Sequence, residues 1–356
     1  MKKVLIYPFG KESEFIAEHF DMLKNLYPVC LVGLRGWDNG KKEYAVNSRQ
    51  IPLVYDFMEG LEAYEPEIVW FVEFSKQIDF ETEYLPYIKL AIDKKKRIIL
   101  SDSLKKKVQK YILDLSDWLY CSEEIRSETK KCGDFLKPIN TPVVCLCSLY
   151  GNLCKFELQL MLRKELIKRE ISFVQIGTKD FSEEFGFFNV PWFMVDEDIS
   201  DKDKTLMFNR YLKEIEETEK PDLIVIGVPG EMCAASETYV AGFGYLARDY
   251  FYAVKPDIVI MSVPYSLFSN DDLNYISRGI RNRFGSAVDV FCRTNKHLLL
   301  EDTELEQDFT YLTVNKEDLK ENIVTENLYD LEQNQVSKIT DIVLNKLKTY
   351  GQIESI

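Results

Sequence analysis

Histidine is nearly missing from this chain, with 2 among 356 residues, His19 and His297. They fall in different predicted domains, which argues against a histidine-rich metal centre and against a Ser-His-Asp hydrolase. The 8 cysteines include no C-x-x-C pair, so the usual spacings of zinc and cluster sites are missing and the thiols read as core residues in a reducing compartment. Cys145, Cys147 and Cys154 come nearest to a thiolate group, the first two alternating onto one face of a predicted strand. The first turn, Tyr7-Pro8-Phe9-Gly10-Lys11-Glu12, lacks the G-x-G-x-x-G that lets a pyrophosphate approach the backbone, so a dinucleotide is not expected there. No apolar run is long enough to cross a bilayer. The basic start is followed by a short apolar run that Pro8 and Gly10 interrupt, which fits a buried strand better than a signal peptide and predicts a cytoplasmic protein. Positive charge is scarce too: 45 Lys and Arg against 59 Asp and Glu leave a net charge of -14. That balance excludes duplex nucleic acid and an anionic membrane as main partners, because both reward a basic face.

What is present is a hydrophobic content of 46% and a length that suits two cores. Short β-branched and aromatic runs alternate with longer helical patterns, which predicts α/β architecture with two parallel-sheet domains. Leu136-Lys137-Pro138-Ile139-Asn140-Thr141-Pro142 interrupts the periodicity, so the boundary is placed between residues 138 and 139. Residues 1–138 form a Rossmann-like domain, with strands at Val4–Pro8, Val29–Leu34, Ile68–Val72, Ile98–Ser101 and Trp118–Cys121 and helical patterns at Lys11–Lys24 and Tyr84–Asp93. Residues 139–350 form a P-loop-like domain, with strands at Val143–Cys147, Phe173–Gly177, Leu223–Val228, Ile258–Val263, Val288–Arg293 and Phe309–Val314. Its helices are expected at Lys155–Arg169, Lys204–Thr218, Tyr239–Tyr250, Asp271–Arg283 and Val336–Thr349. Lys220-Pro221-Asp222 and Lys255-Pro256-Asp257 open matching apolar runs, as central parallel strands do.

The chemistry centres on Val143–Glu157, a strand, loop and helix start laid out like a phosphate-binding loop. A working loop reads G-x-x-x-x-G-K-[ST]: glycines let N–H groups curl around phosphates, the Lys reaches their oxygens and the hydroxyl binds Mg²⁺. Aligned on Lys155, this chain carries Leu149 and Cys154 at the glycine positions and Phe156 at the hydroxyl position. The lysine alone survives. Gly151 can keep the loop tight, and the helix N-terminus still favours an anion. Gly151, Lys155 and Thr178 are therefore the candidate anion-binding residues, and a competent loop would take ATP or GTP with Mg²⁺. The alternative is a relic of the fold whose lysine is solvated.

Loops after three further strands fall at the same sheet edge. Gly227, Pro229, Gly230, Pro264 and Tyr265 would line a cleft there, with Asp180 and Glu231 as acid, base or Mg²⁺ ligand. Carboxylates on loops also serve as caps or solvated groups. Arg35–Gly40 follows the second strand and reads as a turn with Trp37 packed down. The aromatic connection Phe181–Phe193 is either a small core or a recognition surface in which Phe187, Phe188 and Trp192 would bind a peptide.

At several of these places the chain resembles the clostridial-type peptide maturation system proteins. The residues concerned are Tyr7-Pro8-Phe9, Gly36-Trp37, Lys155-Phe156-Glu157-Leu158-Gln159-Leu160 and Phe185-Gly186-Phe187 with Pro191. The resemblance continues through Gly227-Val228-Pro229-Gly230 and Arg283-Phe284-Gly285. It implies an accessory role in making a ribosomally synthesised, modified peptide, with a precursor peptide or a radical maturase as partner, and it transfers no catalytic residue. Two functions follow as expectations: a non-enzymatic accessory protein, or a nucleotide-dependent enzyme using the altered loop.

Overall fold

The computed structural model describes residues 1–350 except 12, 35, 37–41, 47–48, 75–77, 113, 121–132 and 315–324, with the side chains of 349 and 350 also left aside. The expected turn around Trp37 lies outside the described residues. The chain divides into two compact units, Met1–Arg126 with Asp180–Phe187, and Ser127–Lys179 with Phe188–Ile356.

The first unit is a six-stranded sheet in the order β3-β4-β2-β1-β5-β6. Its strands are β1 (Lys2–Phe9), β2 (Leu26–Gly33), β3 (Glu43–Val46), β4 (Arg49–Val54), β5 (Ile68–Phe71) and β6 (Arg97–Ile99). All neighbours run parallel except β3 with β4. Its helices are α1 (Glu14–Glu18), α2 (Phe57–Tyr64), α3 (Leu85–Asp93) and α4 (Asp102–Gln109). The order turns about β1, the Rossmann-like arrangement. The expected Lys11–Lys24 helix is only α1 and a 3₁₀ turn, and the hairpin β3–β4 was not foreseen, since Gln50 and Pro52 break its apolar alternation. No strand forms at Trp118–Cys121, where a single bridge joins Leu119 to Ile98 and Cys121 is not described. The segment Asp180–Phe187 clusters with this unit: Phe181 stacks on Phe15 at 5.7 Å and meets Trp70 edge-on at 5.6 Å.

The second unit has a six-stranded parallel sheet in the order β14-β11-β10-β7-β9-β8. It comprises β7 (Val143–Ser148), β8 (Phe173–Ile176), β9 (Leu223–Gly227), β10 (Ile258–Val263), β11 (Val290–Arg293) and β14 (Leu328–Asp330). A separate ribbon pairs β12 (Lys296–Leu298) with β13 (Tyr311–Thr313), which is where the strand expected at Phe309–Val314 lies. The helices are α5 (Lys155–Lys168), α6 (Asp201–Glu219), α7 (Tyr245–Ala253), α8 (Asn270–Phe284), α9 (Leu300–Glu306) and α10 (Gln333–Tyr350). Tyr239–Gly244, expected to be helical, is a loop in which Ala241, Phe243 and Gly244 all have positive φ, so α7 begins only at Tyr245.

Both faces of this sheet are buried, so its strands read as continuous apolar runs and not as alternations. Cys145, Cys147, Ile224, Ile226, Val259 and Met261 face a core shared with α6, α7 and α8. Val144, Leu146, Val225, Ile258 and Ile260 face α5 and α10. Cys145 and Cys147 do share a face, and burial pushes both thiols up, Cys147 to about 12. Among the described residues no three His, Cys, Asp or Glu are grouped to hold a metal ion.

Candidate functional site at the altered phosphate loop

β7 is central, flanked by β10 and β9, and the chain leaves its carboxyl end into the loop Leu149–Cys154 that starts α5. Leu149 donates its N–H to the Ser262 carbonyl of β10 at 2.8 Å. On the other side, Met232 and Cys233 donate to the Ser148 and Leu149 carbonyls at 3.0 and 3.1 Å. The loop is thus held between two neighbouring strand exits before it turns.

Its backbone keeps the shape that glycines normally supply. Cys154, at the second glycine position, is left-handed at φ 48 and ψ 30, and Asn152 has φ 57. A left-handed β-unbranched residue costs about 1 kcal/mol relative to glycine, which the buried anchors Leu149, Leu153 and Phe156 offset. Among the described residues, the N–H groups of Gly151, Asn152, Cys154 and Lys155 donate to no protein acceptor. Amides left without protein acceptors at a helix start are the groups that bind anions.

Lys155 points its ammonium at the exit of β9, donating to the Val228 carbonyl at 2.7 Å and to the Gly230 carbonyl. Burial pulls its pKa down to about 8, against the opposing influence of Cys147 and of the Glu231 carboxylate. The lysine is therefore not the solvated side chain that the relic reading supposes. Glu231 is only 8% exposed, and its Oε1 has no hydrogen-bond partner. That oxygen lies so close to Gly242 that a Cβ there would overlap it, and Oε2 lies 3.5 Å from where a Cβ on Gly151 would stand. Gly242 is thus the wall that admits this carboxylate.

An aromatic cover lies on the loop, made by Phe309, two residues before β13, and by Tyr311 in β13. Phe309 stacks on Tyr150 with centroids 5.9 Å apart, and Tyr311 donates its hydroxyl to the Gly151 carbonyl at 2.6 Å. Burial and the nearby Tyr150, Cys154 and Glu231 hold the Tyr311 phenol protonated. A Cβ on Gly151 would stand 2.7 Å from the Phe309 ring. Neither aromatic was anticipated from sequence, because both lie far along the chain from the loop and only the ribbon brings them back.

The side chains that hold Mg²⁺ in a working phosphate loop are replaced. Phe156, at the hydroxyl position, is buried at 2% exposure. β9 ends in Gly227, where a P-loop enzyme carries an acidic Mg²⁺ ligand on the neighbouring strand. The space beside Gly227 is filled: a Cβ there would be 2.5 Å from the Thr178 methyl and 2.7 Å from the Gln159 amide. Gln159 is fully buried and donates to the Ile176 carbonyl at 2.8 Å. The donor set of a standard Mg²⁺ site is therefore absent.

Other expected site residues fall as follows. Thr178 bonds the Gln159 amide at 3.4 Å and serves packing beside Gly227. Pro229 and Gly230 flank the carbonyls that receive Lys155, with Gly230 at φ 73. Pro264 is buried, and Tyr265 donates its N–H to the Lys296 carbonyl at 2.7 Å, tying β10 to the ribbon. Asp180 groups with the first unit, where it accepts the Asp102 N–H at 3.2 Å as a helix-start contact. Phe187 is buried in the first unit at 4% exposure, so it offers no recognition surface. Phe188 is half-buried in the second unit, its N–H bonded to the Gln175 carbonyl, and Trp192 is 54% exposed.

No protein-family model and no curated protein matches the chain. Among solved structures it is similar to a DUF1611-family protein from Anabaena variabilis, at 14% identity over 98% of this chain and 100% of that one, with a TM-score of 0.61. It is also similar to a GTPase in apo form from Pyrococcus abyssi, at 14% identity over 59% of this chain and 97% of that one, with a TM-score of 0.33. For the cell division protein MinD of Aquifex aeolicus the figures are 11% identity, 61% and 99% coverage and a TM-score of 0.35. The first likeness extends along both units and concerns the fold alone.

Proposed function

We propose that the second unit binds the phosphate portion of a ligand at Gly151–Lys155, a nucleotide such as ATP, GTP or ADP being the first candidate. The binding does not depend on the hydrolytic apparatus of a P-loop enzyme. The observation that carries this reading is a half-buried lysine ammonium, held on two backbone carbonyls, beside a loop whose left-handed backbone leaves amides without protein acceptors. Replacing Phe156 and Gly227 with metal-binding residues would be needed for ordinary Mg²⁺-dependent hydrolysis, so turnover is not expected.

Thermal unfolding with saturating ATP, GTP, ADP or inorganic pyrophosphate tests the reading, because a ligand that binds the native state raises its stability by mass action. A rise of about 4 kcal/mol is expected at a thousandfold excess over Kd, lost in Lys155→Met, whose fold is checked by circular dichroism. No rise with any of the four ligands would overturn the reading.

A second reading rests on Trp192 and Val195, exposed at 54% and 68% on the second unit. It makes this surface the anchor for a precursor peptide or for a cytoplasmic radical maturase. Unchanged capture of either partner by Trp192→Ala would remove that surface from consideration.

A further inference from the structure

We propose that Glu231 is the ligand for a divalent cation that the site takes up together with a phosphate-bearing molecule, replacing the two protein ligands lost at Phe156 and Gly227; this rests on the phosphate-binding reading above. Three observations converge on Glu231. Glu231 is 8% exposed and its Oε1 is buried, yet Oε1 has no hydrogen-bond partner. A buried carboxylate oxygen with nothing to accept from carries a desolvation cost that a cation would relieve. The carboxylate also lies against the loop, its Oε2 beside Gly151 and its Oε1 against Gly242, where a larger residue would overlap it.

The third observation is how the backbone aims it. Met232 and Cys233 are bonded to the Ser148 and Leu149 carbonyls, so the residue just before them is fixed next to the loop's start. Gly230, at φ 73, supplies the second carbonyl that receives Lys155 and makes the turn into Glu231. Lys155 and Glu231 make no ion pair among the described residues, the ammonium donating to backbone carbonyls instead. The carboxylate is thus left for another cation while the ammonium stays on the carbonyls. Mg²⁺ is commonly held by one or two carboxylates and completed by phosphate oxygens and water. A single carboxylate beside Gly151 of the loop fits that division of ligands.

Two measurements on the full chain test this. Thermal unfolding with inorganic pyrophosphate is compared in Mg²⁺ and in EDTA for the wild type and Glu231→Gln, and Mn²⁺ uptake in the presence of pyrophosphate is followed by the loss of its free-ion paramagnetic resonance signal. The wild type should gain stability from pyrophosphate in EDTA, gain more with Mg²⁺, and deplete the free Mn²⁺ signal beyond the pyrophosphate-only control. Glu231→Gln should keep the metal-free gain and lose both metal effects. A Glu231→Gln protein that retains the metal effects, or a wild type whose gain is the same with and without Mg²⁺, would overturn the assignment while leaving phosphate binding intact. Absence of any pyrophosphate effect in the wild type under either condition would defeat both readings at once.

Discussion

Lys155 is where a single residue decides most. Its folded pKa is pulled down to about 8, chiefly by burial, from an ordinary lysine value of 10.5. The sign follows from proton counts. Between those two values the unfolded chain holds a proton that the folded chain has released, so the lysine's contribution to stability rises with pH across that window. Below about pH 8 both states are protonated, and the full penalty of a buried ammonium is present. Replacing the residue with Met should remove this rise, a difference readable in denaturant midpoints from pH 7.5 to 10.5. Ligand binding should run the other way. The ammonium fraction falls above pH 8, so anion affinity should weaken there, and a pH-independent affinity would show that Lys155 does not face the anion.

At the scale of the element, the loop and the ribbon strand β13 act as one packed unit. The sequence marks Gly151 as a tightening residue, and the structure gives another reason for it: the Phe309 ring occupies the space a side chain would need. Gly151→Ala should therefore destabilise the protein by about 1–3 kcal/mol, the usual cost of overpacking a well-filled site. Chemical denaturation measures it. In the background of Phe309→Leu most of that cost should disappear, because the two positions share one space and such neighbours are not additive. Equal costs in both backgrounds would mean that the ring is not what excludes the methyl group. The same element explains what local reading missed. Lys155, its missing glycines and the helix that follows are contiguous and visible in sequence, whereas Phe309, Tyr311 and Gly242 reach the loop only through long-range packing. The loop Tyr239–Gly244 carries an apolar pattern that suits a helix, but its positive φ angles are set by packing over Glu231 and Met232.

For the whole molecule, the division into units is not a single cut. Residues 180–187 belong with the first unit although the chain on either side belongs with the second. Phe181 and Phe185 pack with Phe15 and Trp70 in the first unit's core. A fragment ending at Arg126 would leave Trp70, 1% exposed in the full chain, without these partners. It should unfold less cooperatively than a fragment supplied with residues 180–187 through a short linker, and it should bind a hydrophobic dye. Identical melting of the two fragments would show that the segment contributes nothing to the first core.

The sequence by itself determined the α/β class, the order of most strands and helices, and the position of the altered phosphate loop. Those features are written in local periodicity and contiguous motifs, which need only neighbouring residues to be read. Tertiary structure alone decided that Lys155 donates to two carbonyls, that Glu231 lies beside Gly151 and Gly242, and that Asp180 and Phe187 belong to the other unit. Such matters depend on which distant segments the parallel sheets bring side by side, and burial, charge and hydrogen-bond satisfaction at a site are fixed only once that packing is complete.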